Sequence, residues 1–382
     1  MYIDRRYRFR RRRSPWAAIL LLFILVGAGY LVFTRTDWLP ANPLISRLPS
    51  PTPTRSALSF LAEAEDLYRA GKFGGAIAAY AHLAQLEPGN DEAYAWQARL
   101  QVLSGRAGDA VILAQKAVNI KESAFNLGVL AMAYDWNNQY PEAMDNGLKA
   151  VDKDPLLAEA HAFLAEVYAD KTNWDRALVE GQAGVKLNPK SAIAQRNLGY
   201  VLERQGRFEE AIAAYEQAAQ IEPQLGYIYV GLGNCYLAKG QDEQALAQFQ
   251  KAAAANPDNP AIFDQVGWGA YQAKDPDQAV SALKKAVELD PQNASAHAHL
   301  GFVYYTQLNW EAAAENLKKA VDLGVKSEEY YYELGLAYVQ LDDCANAVTW
   351  LQKALEMNPQ SQPARDGLKQ CAKGLRIPDL RL

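Results

Sequence analysis

Cysteine is scarce: three in 382 residues, too few for a disulfide-built scaffold, and an odd number leaves one thiol unpaired in any redox compartment. No CxxC pair occurs, so a zinc ribbon is excluded. Histidine is nearly as rare, at four. His82 and His161 are isolated, while His297 and His299 stand two apart, roughly 200° round a helix, and cannot chelate one metal together. There is no HExxH, GxGxxG or GxxxxGK[ST] pattern and no Ser-His-Asp order. These gaps leave no candidate catalytic, cofactor-binding or metal-ligating residue, and the expectation is a non-enzyme without a cofactor.

Positive charge is also missing from most of the chain. The formal net charge is -5, yet seven arginines (Arg5, Arg6, Arg8, Arg10, Arg11, Arg12 and Arg13) stand in residues 1–13 against Asp4 alone. The body is therefore acidic, and a phosphate track needs concentrated positive charge, so nucleic acid is not an expected partner. Half of the residues are apolar, which argues against wholesale disorder.

One long apolar run occurs, Trp16 to Phe33, eighteen residues without a charge or a proline. At full helical rise it spans about 27 Å, enough for a thin bilayer. A core helix would not be preceded by RRYRFRRRR. A cleaved signal peptide shares the basic start, but the run is long for one and ends without a small-x-small cleavage pattern. The expectation is a retained transmembrane helix over 16–33 behind a basic cytoplasmic tail at 1–15. The arginine bias would hold the N-terminus in the cytoplasm and place the body outside it, in a periplasmic or extracellular space. Residues 34–56 carry Pro40, Pro43, Pro49, Pro51 and Pro53, which forbids a helix and favours an extended linker.

Beyond the linker, small residues recur at a fixed interval. Gly199, Gly233, Gly267, Gly301 and Gly335 are each 34 residues apart, and Ala211, Ala245, Ala279, Ala313 and Ala347 keep the same step. The register defines nine units: 57–90, 91–123, 124–157, 158–191, 192–225, 226–259, 260–293, 294–327 and 328–361. Each reads as two helices. In the fifth they are Ala192–Gln205 and Phe208–Ile221, separated by Gly206 and closed by Glu222-Pro223. One such hairpin cannot bury its own apolar faces, whereas a neighbour on each side can. Gly147, Gly181 and Gly184 interrupt second helices and mark 124–191 as either looser or more closely packed. Residues 362–373 read as a capping helix over the last unit, with 374–382 as a tail.

Within the units, Leu232-Gly233 with Tyr236, Ala245, Phe249 and Ala252 resembles the tetratricopeptide repeat family. So do Leu300-Gly301 with Tyr304, Trp310, Ala313 and Ala320, and Leu334-Gly335 with Tyr338, Ala347 and Ala354. The resemblance covers 57–361 and implies an all-α, right-handed α-solenoid of nine two-helix units. It also implies an inner wall built from the second, fifth, ninth, twelfth and thirteenth positions of each unit, commonly a docking surface for proteins or peptides. On this chain those positions give a candidate partner-binding groove of Arg196, Tyr200, Glu203, Arg204, Tyr227, Asn234, Asp264, Trp268, Tyr271, Phe302, Tyr305 and Tyr332. Earlier units supply Arg69, Arg99, Met132, Trp136, Glu166 and Asp170. Large rings with polar edges suit protein hot spots, though rings at these positions could equally pack against the next helix. The family's clamps for acidic chaperone tails need Lys at the fifth position, which no unit has, and Arg196 is followed by Tyr200 and then Gly231 where Asn would stand. That client class is argued against.

Cys235 reads as a buried, inert thiol. If the body lies outside the cytoplasm, a Cys344–Cys371 disulfide would staple the cap to the last unit. The function expected is a membrane-tethered interaction scaffold for a protein or peptide, in a role such as envelope assembly. A structural subunit of a membrane complex and a glycan- or polymer-binding module are the alternatives.

Overall fold

A computed structural model describes residues 55–375. The expected basic tail, transmembrane helix, all but the last two residues of the linker, and 376–382 lie outside the described residues. No helix among the described residues is long and apolar enough to cross a membrane.

Nineteen helices and no strand make up the described residues. Eighteen form nine consecutive hairpins, from Ala57–Arg69 with Phe73–Leu86 to Glu328–Gln340 with Cys344–Met357, and Gln362–Leu375 follows as the cap. In the fifth hairpin the first helix ends at Arg204, one residue short of the sequence reading, because Gln205 already begins the turn. Ser123, Ser191, Asn90 and Asn293 open first helices by accepting a bond from the backbone N–H three residues on, which satisfies an otherwise orphaned donor.

Every hairpin turns through one left-handed residue, the fifteenth of its unit. Gly71, Gly105, Gly206 and Gly240 fill it in four units with φ of 70–78°; Asn138, Thr172, Lys274, Leu308 and Asp342 fill it in the others with φ of 57–63°. Leu308 and Thr172 hold a conformation that costs a branched side chain free energy.

The small first-helix positions are explained by what fills the space over them. The ring of Tyr215 lies between Gly199 and Gly231, where an added Cβ would stand 2.9 and 2.4 Å from it. Phe249 is lodged in the same way between Gly233 and Gly269, at 2.4 and 2.3 Å. Both rings are fully buried. The glycines of 124–191 mark close packing: Cβ atoms at Gly147 and Gly184 would stand 3.1 Å from Leu164 and 3.0 Å from the Ala158 carbonyl.

The array does not stay open. The turns of its first two units fold against the turns of the fifth to seventh. Buried Asn256 donates through Nδ2 to the Gly71 carbonyl at 3.0 Å, and buried Asn259 donates to the Leu103 carbonyl at 2.7 Å. Gly74 N–H donates to Asp258 at 3.1 Å, and the Tyr68 hydroxyl donates to Glu222. A Cβ on Gly71 would lie 1.8 Å from the Ala255 carbonyl oxygen, so only glycine fits this contact.

At the other end, Leu368 and Cys371 of the cap bury against Leu351 and Ala354, and Cys371 is joined to Cys344. Cys235 is buried, and burial pushes its thiol up to about 12.

Candidate functional site

Because the first two units fold back, the inner wall of units three to seven borders a partly open cavity of about 690 Å³. First helices supply most of its lining: Asp135 and Trp136, Glu166 and Asp170, Arg196, Tyr200 and Glu203, Tyr227, Val230, Gly231 and Asn234, and Asp264. The turns at Ser104–Arg106 and Asp290–Ser295 close two sides. Six carboxylates (Asp135, Glu166, Asp170, Glu203, Asp264, Asp290) face it against two arginines, Arg106 and Arg196, which makes the interior acidic.

Most of those carboxylates are matched. Glu166 Oε1 accepts from Arg196 Nη1 at 2.5 Å and from Trp136 Nε1 at 3.2 Å, and its Oε2 accepts from Asn197 Nδ2 at 3.1 Å. Burial works against the Arg196 charge, but Glu166 together with Tyr215 and Tyr200 outweighs it and raises the guanidinium's pKa. Asp170 accepts from the Tyr200 hydroxyl, and Glu203 accepts from the Tyr215 hydroxyl at 2.7 Å. Asp264 meets Ser295 Oγ at 2.8 Å and His299 Nδ1 at 2.7 Å.

Asp135 is the exception. It is 2% exposed, no donor among the described residues reaches either carboxylate oxygen, and Asp170 stands close enough to share a proton with it. Burial first, then the charges of Glu166 and Asp170, raise its carboxyl well above the usual carboxylate range. A proton on this pair is thereby favoured, shared between Asp135 and Asp170.

Of the residues expected in the groove, Arg196, Tyr200, Glu203, Tyr227, Asn234 and Asp264 come together on this cavity. Arg204 is exposed and does not line it. Trp268, Tyr271 and Phe302 form a separate half-buried cluster, with Trp268 stacked on His299 at 4.5 Å and Tyr271 edge-on to Phe302 at 5.2 Å. Tyr305 packs edge-on to Trp310 at 5.5 Å, and Tyr332 is half-buried in the ninth unit.

In the early units the wall is covered rather than open. Arg99 is buried over the Trp96 ring at 4.7 Å, and Met132 is buried in a narrow apolar crevice with Leu225 and Ile228. Arg69 points to solvent and pairs with Glu65 at 2.9 Å. The single continuous groove read from the repeat register is thus divided, because the sixth unit folds over the second and third. Trp136 meets Tyr227 edge-on at 5.2 Å across that closure.

Sequence reasoning missed Asp135, Tyr140 and Tyr215. Asp135 is the twelfth residue of its unit, a position already assigned to the inner wall, so the register alone could have found it. Tyr215 comes from a second helix and reaches the cavity only because Gly199 and Gly231 leave it room.

The family described as the cilia and flagella-associated protein 70 C-terminal domain matches residues 174–377, more than half the chain, and a tetratricopeptide repeat model matches 61–126. No curated protein matches the sequence. Among solved structures, the APC/C hetero-tetramer Cut9–Hcn1 aligns with a TM-score of 0.61 at 18% identity. That alignment covers 86% of this chain and 65% of the other, so the chain spans just under two thirds of its relative. The human IFIT1 dimer with m7Gppp-AAAA aligns at 0.52 and 19% identity, over 87% of this chain and 84% of that one. With the 34-residue register, the nine hairpins and these matches, the chain belongs to the tetratricopeptide repeat family.

Proposed function

We propose that this protein is a membrane-tethered interaction scaffold that holds a protein or peptide partner on the concave side of its repeat array, outside the cytoplasm, in a role such as envelope assembly. The observation that carries the reading is the half-buried ring cluster of Trp268, Tyr271, His299 and Phe302. It comes from first helices of the seventh and eighth units, beside the cavity that Asp264 lines. Rings that stack on one another while keeping a face to solvent present rigid area at low entropic cost, as protein hot spots do.

The nucleotide seen with IFIT1 is not carried over: six carboxylates against two arginines would repel phosphates. Tethering rests on the eighteen-residue apolar run behind seven arginines. The joined Cys344 and Cys371 fit an oxidising compartment.

The test is recovery of the full chain from its native membranes after mild crosslinking, with mass spectrometry of what comes with it. A peptide or protein partner lost on groove substitution supports the scaffold. A stoichiometric complex indifferent to groove substitution favours the structural subunit, and retained saccharide favours the polymer-binding module.

A further inference from the structure

The cavity holds one group that the fold itself does not explain. Glu166 consumes the charge of Arg196, and Asp264 has Ser295 and His299. Asp135 has neither a donor nor a cation, although it is 2% exposed and lines an acidic space large enough for a ligand. Burying a carboxyl here without a counter-charge favours its protonated form, and a cation alongside would supply the missing charge.

We propose that the cavity is an organic-cation site, in which an ammonium or guanidinium group enters and pairs with Asp135 and Asp170. The proton that burial favours on this pair leaves to solvent on binding, so one shared proton is exchanged for one cation between two carboxylates. The walls suit such a guest. The Arg196 guanidinium already sits over the Trp136 and Tyr200 rings at 5.8 and 5.3 Å, so ring faces here accept positive charge. A metal ion is a poorer fit, since no group of three His, Cys, Asp or Glu among the described residues is arranged to hold one. The groups facing Asp135 are Glu166 and Asp170 from the fourth unit, Arg196 from the fifth, and Tyr140 from its own hairpin. Three of these four strengthen or tolerate a cation, and Arg196 is held by Glu166.

The cation could be a basic side chain of the partner, which rests on the scaffold reading above, or a free polyamine, which does not. Calorimetry on the full chain in detergent separates them, using N-acetyl-lysine methylamide, N-acetyl-arginine methylamide and putrescine, with Nε-acetylated lysine as the neutral control. The expected result is binding of the cations but not the control. Affinity should tighten as pH rises above the ordinary carboxylate range, by at most about tenfold per pH unit, with up to one proton released per cation. Asp135→Asn should weaken binding at least tenfold and abolish proton release, while Glu333→Gln, outside the cavity, changes neither. Asp170→Asn provides the same reading if Asp135→Asn does not fold. A lysine or arginine derivative tighter than putrescine assigns the site to a side chain, and the reverse order assigns it to a free amine. Absence of cation binding, equal binding of the neutral control, or unchanged affinity in both Asn variants would overturn the proposal. Partner recovery from membranes is read separately, so the scaffold can survive the loss of this site.

Discussion

Asn256 donates a hydrogen bond to the carbonyl of Gly71 across 185 residues of chain, and this contact turns an open array into one with an interior. The same side chain accepts from Gly226 N–H at 2.7 Å and donates to the Gln224 carbonyl at 2.9 Å, so three backbone groups depend on it. Replacing Asn256 with Leu should cost about 1–3 kcal/mol, since the partners stay buried without it. It should also raise amide exchange at the Gly71 and Leu103 turns and enlarge the radius of gyration of the array in solution scattering. Destabilisation with unchanged scattering and exchange would show that the closure does not depend on this residue.

The turn residues offer an independent check. Leu308 is 67% exposed at φ 60°, so its side chain gains little from burial while its backbone is held in the left-handed region. Leu308→Gly should raise the melting temperature, the relief being about 1 kcal/mol. Gly71→Ala, which meets the Ala255 carbonyl, should lower it sharply, and Gly206→Ala, with nothing within 4 Å, should lower it only by the backbone cost. Equal effects of the two alanines would mean that the Gly71 contact is absent in solution.

The helix faces can be tested within one turn of helix. Ala211 is fully buried and Ala213 is exposed. Ala211→Leu should cost roughly 1–3 kcal/mol by overpacking, and Ala213→Leu should be nearly silent in thermal melts.

These faces were legible in the sequence because a 34-residue period repeats small and large residues in register, and each unit has one way to bury both helices. The closure was not. Asn256 precedes Pro257 just as Asn188 precedes Pro189 and Asn358 precedes Pro359, and Gly71 stands at the same turn position as Gly206 and Gly240. Nothing local marks one member of each set as a long-range contact. The cavity inherits that blindness: the register named Tyr200, Tyr227 and Trp136 as wall residues, but their meeting depends on curvature summed over several units.

Buried acids give the array a pH dependence of definite sign. Glu333 is 2% exposed with Oε2 unpartnered, and burial first, then Glu329, pushes its carboxyl up to about 8 from 4.5. The folded protein thus keeps a proton that the unfolded chain releases. The associated stability is fully present below about pH 4.5 and is lost as pH rises toward 8. Glu333→Gln should therefore raise the melting temperature at pH 8 and leave it nearly unchanged at pH 4. Equal shifts at both would sink the assignment.

Function turns on whether the C-terminal rings face a partner or only each other. Trp268 touches Tyr271, His299 and Phe302 yet remains half-buried, whereas Trp350 is 9% exposed and stacks with Tyr331 at 6.1 Å in the ninth unit. Truncating a buried tryptophan costs roughly 3–5 kcal/mol, and a half-buried one should cost less. If the Trp268 cluster is a docking face, Trp268→Ala combined with Tyr305→Ala should lower the melting temperature less than Trp350→Ala, yet abolish recovery of the crosslinked partner. Trp350→Ala should do the reverse, melting earlier while its folded fraction still captures the partner. The pair of variants separates the readings because stability and capture move in opposite order. Should capture follow melting temperature across all of them, the rings of the seventh and eighth units belong to the packing of the array and the partner docks elsewhere.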